Sequence, residues 1–192
     1  ATGDRRNPGA VVLFDTRTRQ PARGINQIAV GPLPDMVTFT PDGRTLLVAN
    51  EGTPNAVADT AYAQPDPQGT VSIIDIARRK VVATVGFDAA PTAGENLRQP
   101  SVTGMSFEPE YIAVSRDGDH AFVTLQEHNA IGIIDVKRGK ATRVIGLGAK
   151  DFSKPGNEID PLDNDSSVNF VSVPAKGLYM PDAIATYERR GK

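Results

Sequence analysis

Three short segments of one pattern recur at a fixed interval, and this limits the fold more tightly than any other feature of the chain. They are Val11-Val12-Leu13-Phe14-Asp15, Val71-Ser72-Ile73-Ile74-Asp75 and Ile131-Gly132-Ile133-Ile134-Asp135, with the closing aspartates 60 residues apart each time. A short basic turn follows each one: Arg17 to Arg19, Arg78-Arg79-Lys80 and Lys137-Arg138. A second apolar stretch comes next, at 25–30, 81–85 and 142–145. Fixed-period self-similarity is the signature of repeat architectures, in which each unit buries its apolar face only against its neighbours.

A second set interleaves with the first. Pro34-Asp35-Met36-Val37-Thr38-Phe39 matches Pro109-Glu110-Tyr111-Ile112-Ala113-Val114, and Pro181-Asp182-Ala183-Ile184-Ala185-Thr186 opens a third copy. The first two copies run into Pro41-Asp42-Gly43 and Arg116-Asp117-Gly118, then into further apolar strands. Asp-Gly between alternating apolar runs marks a hairpin, because glycine accepts positive φ at no steric cost. The Pro-acidic starts read as strand openings, where proline removes no ladder donor.

The repeating unit is therefore four short strands, the pattern of a β-propeller blade. The spacing predicts an all-β fold: part of a β-propeller with four-stranded antiparallel blades, about two complete blades plus partial blades at each end. Residues 11–31 end one blade, 34–87 and 108–147 form two, 148–179 make an acidic insert loop, and 180–192 start the next blade. Further inserts run over 53–68 and about 88–107. No sustained 3.6-residue apolar period occurs, so very little helix is expected. Residues 1–192 read as a single propeller arc, a fragment of a larger domain, since an open arc exposes strand edges that invite pairing. Other protein chains or the remainder of the propeller are expected to cover those edges.

Composition removes whole classes of function. With 21 basic and 23 acidic side chains the net charge is −2, which lacks the broad positive field of nucleic-acid and anionic-membrane binders. The absence of Cys excludes disulfides, thiolate zinc sites and cysteine nucleophiles. No apolar run approaches the roughly 20 residues of a membrane-spanning helix. The opening Ala1-Thr2-Gly3-Asp4 fits a processed, exported chain or a trimmed one.

One segment stands out chemically: Asn157-Glu158-Ile159-Asp160-Pro161-Leu162-Asp163-Asn164-Asp165-Ser166-Ser167. Alternating acids in a loop supply the oxygen ligands that Ca²⁺ takes, and Asp160, Asp163 and Asp165 are the candidate ligands. The same residues also read as a solvated loop of Asx-turns, since their spacing is not that of an EF-hand. Glu51, Asp59 and Asp66 flank the first insert, where rim loops carry variable chemistry or merely ordinary polarity. His120 follows a turn, and His128 beside Glu127 is a candidate ligand or base that lacks a partnering His. The recurring Asp15, Asp75 and Asp135 read as strand-ending acids that accept backbone or neighbouring-blade hydrogen bonds or face the basic turn residue that follows, not as a catalytic set. Nucleophile signatures such as Gly-x-Ser-x-Gly, Ser-x-x-Lys and the phosphate-binding loop are missing. No catalytic residues are assigned.

The run from Leu33-Pro34-Asp35-Met36 to Val48-Ala49-Asn50-Glu51-Gly52 resembles YVTN-type surface propellers. Glu108-Pro109-Glu110-Tyr111-Ile112-Ala113-Val114-Ser115, Gln126-Glu127-His128-Asn129-Ala130, Gly148-Ala149-Lys150-Asp151-Phe152 and Gly177-Leu178-Tyr179-Met180-Pro181-Asp182-Ala183-Ile184-Ala185 narrow the likeness. Together they resemble the choice-of-anchor I family, secreted bacterial propellers often labelled alkaline-phosphatase-like. The resemblance implies export and attachment to the cell envelope. Two functions follow as expectations: a non-catalytic cell-surface scaffold or binding module in a larger envelope assembly, or a metal-dependent phosphoester hydrolase. Two metals and their Asp and His ligands exceed what two histidines supply, so the hydrolase needs ligands from further blades.

Overall fold

The computed structural model describes residues 6–52, 67–98, 107–162 and 164–189. The chain forms β1 (Pro8–Val12), β2 (Gln27–Pro32), β3 (Pro34–Phe39), β4 (Thr45–Asn50), β5 (Thr70–Asp75), β6 (Lys80–Val85) and β7 (Thr92–Glu95). It continues through β8 (Ile112–Val114), β9 (His120–Leu125), β10 (Ala130–Asp135), β11 (Lys140–Leu147), β12 (Ala149–Asp151) and β13 (Lys176–Leu178). Gln126–His128 is a short 3₁₀ turn, the one helical element among the described residues.

Two antiparallel meanders dominate, β3-β4-β5-β6 and β8-β9-β10-β11, each joined edge to edge in chain order. They are the two complete blades. β1 and β2 form a two-stranded sheet before them, and β12 and β13 a small pair after them. β3 touches β8, so the blades converge on their first strands and fan apart outward. That is the radial geometry of a propeller, left open here.

The repeat is preserved at the level of single hydrogen bonds. Asp15, Asp75 and Asp135 each accept the backbone N–H three residues on, at 2.8 Å from Thr18, 2.9 Å from Arg78 and 2.9 Å from Arg138. The next residue in each turn is left-handed: Arg19 at φ 58°, Arg79 at 50° and Gly139 at 60°. A register shift falls at Ile73/Ile74 in one blade and at Ile133/Ile134 in the next. The Asp-Gly turns match too. Thr40 and Ser115 each donate at 2.6 Å to the Asp two residues on, Asp42 and Asp117.

Alternation decides what each strand buries. In β4, Leu47 and Ala49 point into the core shared with the next blade, alongside Val71, Ile73, Phe87, Ile112, Val123 and Ile134. Leu46 and Val48 point the other way and pack with Ile74 under Ile28 and Val30 of β2. The β3–β6 blade is thus sandwiched, which is why β4 and β5 read as nearly continuous apolar runs.

Some expectations need correction. The first repeat strand, expected over 11–15, is β1 at 8–12, with only an isolated bridge from Phe14 to Pro21. The insert at 88–107 is not all loop: β7 pairs parallel with the outer edge of β11. A Cβ at Gly94 would lie 2.2 Å from the Gly146 carbonyl oxygen, so glycine permits this close approach. The insert at 148–179 likewise contains β12, β13 and an Ile159–Val171 bridge. Residues 181–189 join no strand ladder.

Candidate functional site

In an antiparallel pair, the start of one strand lies beside the end of the next. Pro34 pairs with Asn50, and the Glu110 N–H donates to the Thr124 carbonyl at 3.1 Å. The Pro-acidic starts therefore meet the residues that leave β4 and β9. Convergence of β3 on β8 then gathers Asp35, Glu51, Glu110 and Glu127 at one end of the blades.

The charge balance there is distinctive. Burial, above all, pushes the Glu110 carboxyl up to about 8, and the Glu127, Glu51 and Asp35 carboxylates add to it. Glu110 also hydrogen-bonds Glu127, whose buried Oε2 has no hydrogen-bond partner among the described residues. At neutral pH the pair holds a proton that an ordinary glutamate would have lost. Chemically it can retain or release that proton near physiological pH.

His128 faces elsewhere. It is buried against Phe107, with ring centroids 4.8 Å apart. Burial, assisted by the Arg98 cation and opposed by Asp88, pulls its pKa down to about 4. Its Nδ1 is buried without a hydrogen-bond partner among the described residues. A neutral, stacked imidazole of this kind belongs to the core. His120 lies exposed on β9.

The acidic loop is built differently. Asp160 Oδ2 accepts the Asn169 N–H at 3.2 Å and Oδ1 the Leu162 N–H at 3.3 Å, beside the reciprocal Ile159–Val171 backbone pair. Asp165 Oδ1 accepts the Ser167 N–H at 3.1 Å. Both carboxylates face amides of their own loop, in the Asx-turn manner. Asp163 lies outside the described residues, as do Asp59 and Asp66. Among the described residues, no three His, Asp or Glu side chains group as metal ligands.

Sequence reasoning reached Glu51 but took Glu110 for a strand opener. The available signal was the Pro-acidic pair itself, since Pro34-Asp35 and Pro109-Glu110 put acids at equivalent places on converging strands.

Blades, turn chemistry and convergence define the molecule as an arc of a β-propeller. The choice-of-anchor I domain model matches residues 1–192, and the chain belongs to that family. No curated protein matches. Among solved structures, the chain is similar to hydrazine synthase of Kuenenia stuttgartiensis at 21% identity and a TM-score of 0.40, covering 66% of this chain and 27% of that one. It is also similar to the β-propeller domain of Cps50 (Swd1) from Myceliophteria thermophila at 21% identity and a TM-score of 0.41, covering 66% and 30%. The chain spans under a third of the length of either. No helix among the described residues is long and apolar enough to cross a membrane.

Proposed function

We propose that this chain is part of a secreted, non-catalytic propeller module that acts at the cell surface as a scaffold or binding unit within a larger envelope assembly. One observation carries the reading: the aspartates that close the repeat strands and the hairpin turns spend their oxygens on turn amides. Asp15, Asp75 and Asp135 do so at equivalent turns, and Asp42 and Asp117 do so at the hairpin turns, accepting from Arg44 at 3.0 Å and Asp119 at 2.9 Å. At these turns the repeated charge builds the scaffold. Membership of the choice-of-anchor I family supports presentation at the cell surface.

The test is an assay of the purified full-length protein against phosphoester substrates, with and without divalent metals. This reading predicts no turnover above buffer. Hydrolysis that is lost in Glu110→Gln would overturn it in favour of the hydrolase.

Calcium at Asp160, Asp163 and Asp165 is a proposal resting on residue types alone. Calorimetric titration of Ca²⁺ into chelator-treated protein tests it, with heat expected from the native chain and lost in Asp160→Asn.

A further inference from the structure

The net charge of −2 averages two unlike ends. In an antiparallel meander, the turns closing β3–β4 and β5–β6 fall at one end of the blade, and the exits from β4 and β6 at the other. Contacts align these ends across the molecule. The Arg44 carbonyl accepts the Ile76 N–H at 3.0 Å and, one repeat on, the Asp119 carbonyl accepts the Val136 N–H at 2.9 Å. The two turns of each blade therefore touch. A Cβ on Gly118 would lie 3.8 Å from Thr40 and Pro41, which brings the inner turns of the two blades together. The Arg79 guanidinium donates to the Arg23 and Ile25 carbonyls, which ties the outer turn of one blade to the β1–β2 connection.

These five turns, at 15–20, 41–44, 75–80, 115–119 and 135–140, hold ten lysines and arginines against six aspartates. The opposite end carries the Asp35, Glu51, Glu110 and Glu127 carboxylates. The basic end is only partly neutralised from within. Arg78, Arg116, Lys137 and Arg138 sit in ion pairs. Arg17, Arg19, Lys80 and Lys140 are exposed and make none among the described residues, and they come from three successive repeats. Bare aromatic rings share this end: Phe14 is 59% exposed, Phe39 52% and Tyr187 86%. The Thr186 hydroxyl donates to the Val114 carbonyl at 2.8 Å, which sets Tyr187 beside the turn after β8.

We infer that this turn end of the blades is a docking surface for an acidic polysaccharide, a linear polymer with a carboxylate on every sugar or two. Unpaired cations recurring with the repeat meet carboxylates recurring along the polymer, and the guanidinium forks take them in bidentate fashion. The exposed rings pack against the apolar C–H faces of the sugars. Segregated charge of this kind acts locally even where the whole chain is near neutral. Nucleic acid fits the surface less well. Duplex DNA carries a charge about every 1.7 Å of its axis, which the aspartate in each turn repels, whereas sugar hydroxyls can donate to that aspartate. The assignment gives the binding unit proposed above its ligand class, and rests on that reading only for where the polymer is met.

Fluorescein-labelled polygalacturonate, titrated against the purified full-length protein and followed by anisotropy, tests this. It should bind saturably at 50 mM salt and at least fivefold more weakly at 200 mM, because the contacts are ionic. Labelled dextran, which is neutral, should not bind. Arg19→Gln with Lys80→Gln and Lys140→Gln removes one unpaired cation per repeat and should weaken binding at least tenfold. Lys150→Gln with Lys154→Gln and Lys176→Gln removes as much charge at the opposite end and should leave binding within twofold. All six positions are exposed, and circular dichroism verifies that both variants fold. Absence of saturable binding would overturn the inference, as would equal losses in the two variants, which would make net charge the cause. Tighter binding of labelled duplex DNA than of polygalacturonate would also overturn it, with nucleic acid as the occupant. None of these results bears on surface location, which fractionation of intact cells decides separately.

Discussion

The Asn129 side-chain amide donates to the Gly148 carbonyl at 2.8 Å, tying the turn before β10 to the exit from β11. The same Nδ2 donates to the Asn96 carbonyl at 3.0 Å, and Oδ1 accepts the Tyr179 and Met180 N–H groups. One buried amide thus joins four separate segments. Asparagine also suits the left-handed backbone there, at φ 52°.

Asn129→Ala should therefore cost more than a typical surface change. It removes all four bonds, leaves polar backbone groups unpaired and places Ala in left-handed geometry. A loss of at least about 2 kcal/mol is expected from urea denaturation. A loss within about 0.5 kcal/mol, as at ordinary surface positions, would contradict the account of this junction.

Glu110 should make stability fall as pH rises. Its carboxyl ionises near 8 in the folded chain, against 4.5 ordinarily. Between those values the native state holds a proton that the unfolded state has lost, so stability drops toward pH 8. Glu110→Gln should flatten that limb in denaturation curves collected from pH 5 to 9. An unchanged slope would remove Glu110 from the cause.

His128 should act with the opposite sign. Its pKa falls from 6.5 to about 4 in the fold, so the unfolded state binds the extra proton between those values. Stability is then lost as pH drops through that window. His128→Leu should reduce the acid sensitivity, measured as the shift of thermal midpoint between pH 7 and pH 4. It also removes the buried Nδ1, which has no hydrogen-bond partner among the described residues.

Asp75→Ala and Asp135→Ala should be near equals. Each loses one charged turn bond of 2.9 Å and a loose, exposed ion pair with the Arg three residues on, at 3.6 and 3.7 Å. Such exposed pairs contribute little, so about 1 kcal/mol apiece is expected from the turn bond in urea denaturation. A large difference between the two would mean that the repeat equivalence fails in energetic terms.

The propeller was legible because its signals are local and repeated. The closing Asp, the basic turn and Asp-Gly each state a backbone geometry three or four residues long. β7 was not legible, because in Thr92-Ala93-Gly94-Glu95 only Thr92 favours a strand, and the segment pairs because β11 offers an edge and Gly146 leaves room. The carboxylate cluster was half legible. Glu51 stood at a strand end, but Glu110 joins it only through the convergence of β3 on β8, a tertiary fact absent from either segment alone. The acidic loop showed its Asx-turns in its composition, yet not that Asp160 would reach across to Asn169.

Protease treatment of intact cells that make the full protein tests the central claim most directly. The account predicts that the protein is cleaved from the outside while a cytosolic marker survives. A chain that stays protected and fractionates with the cytosol would contradict a cell-surface module.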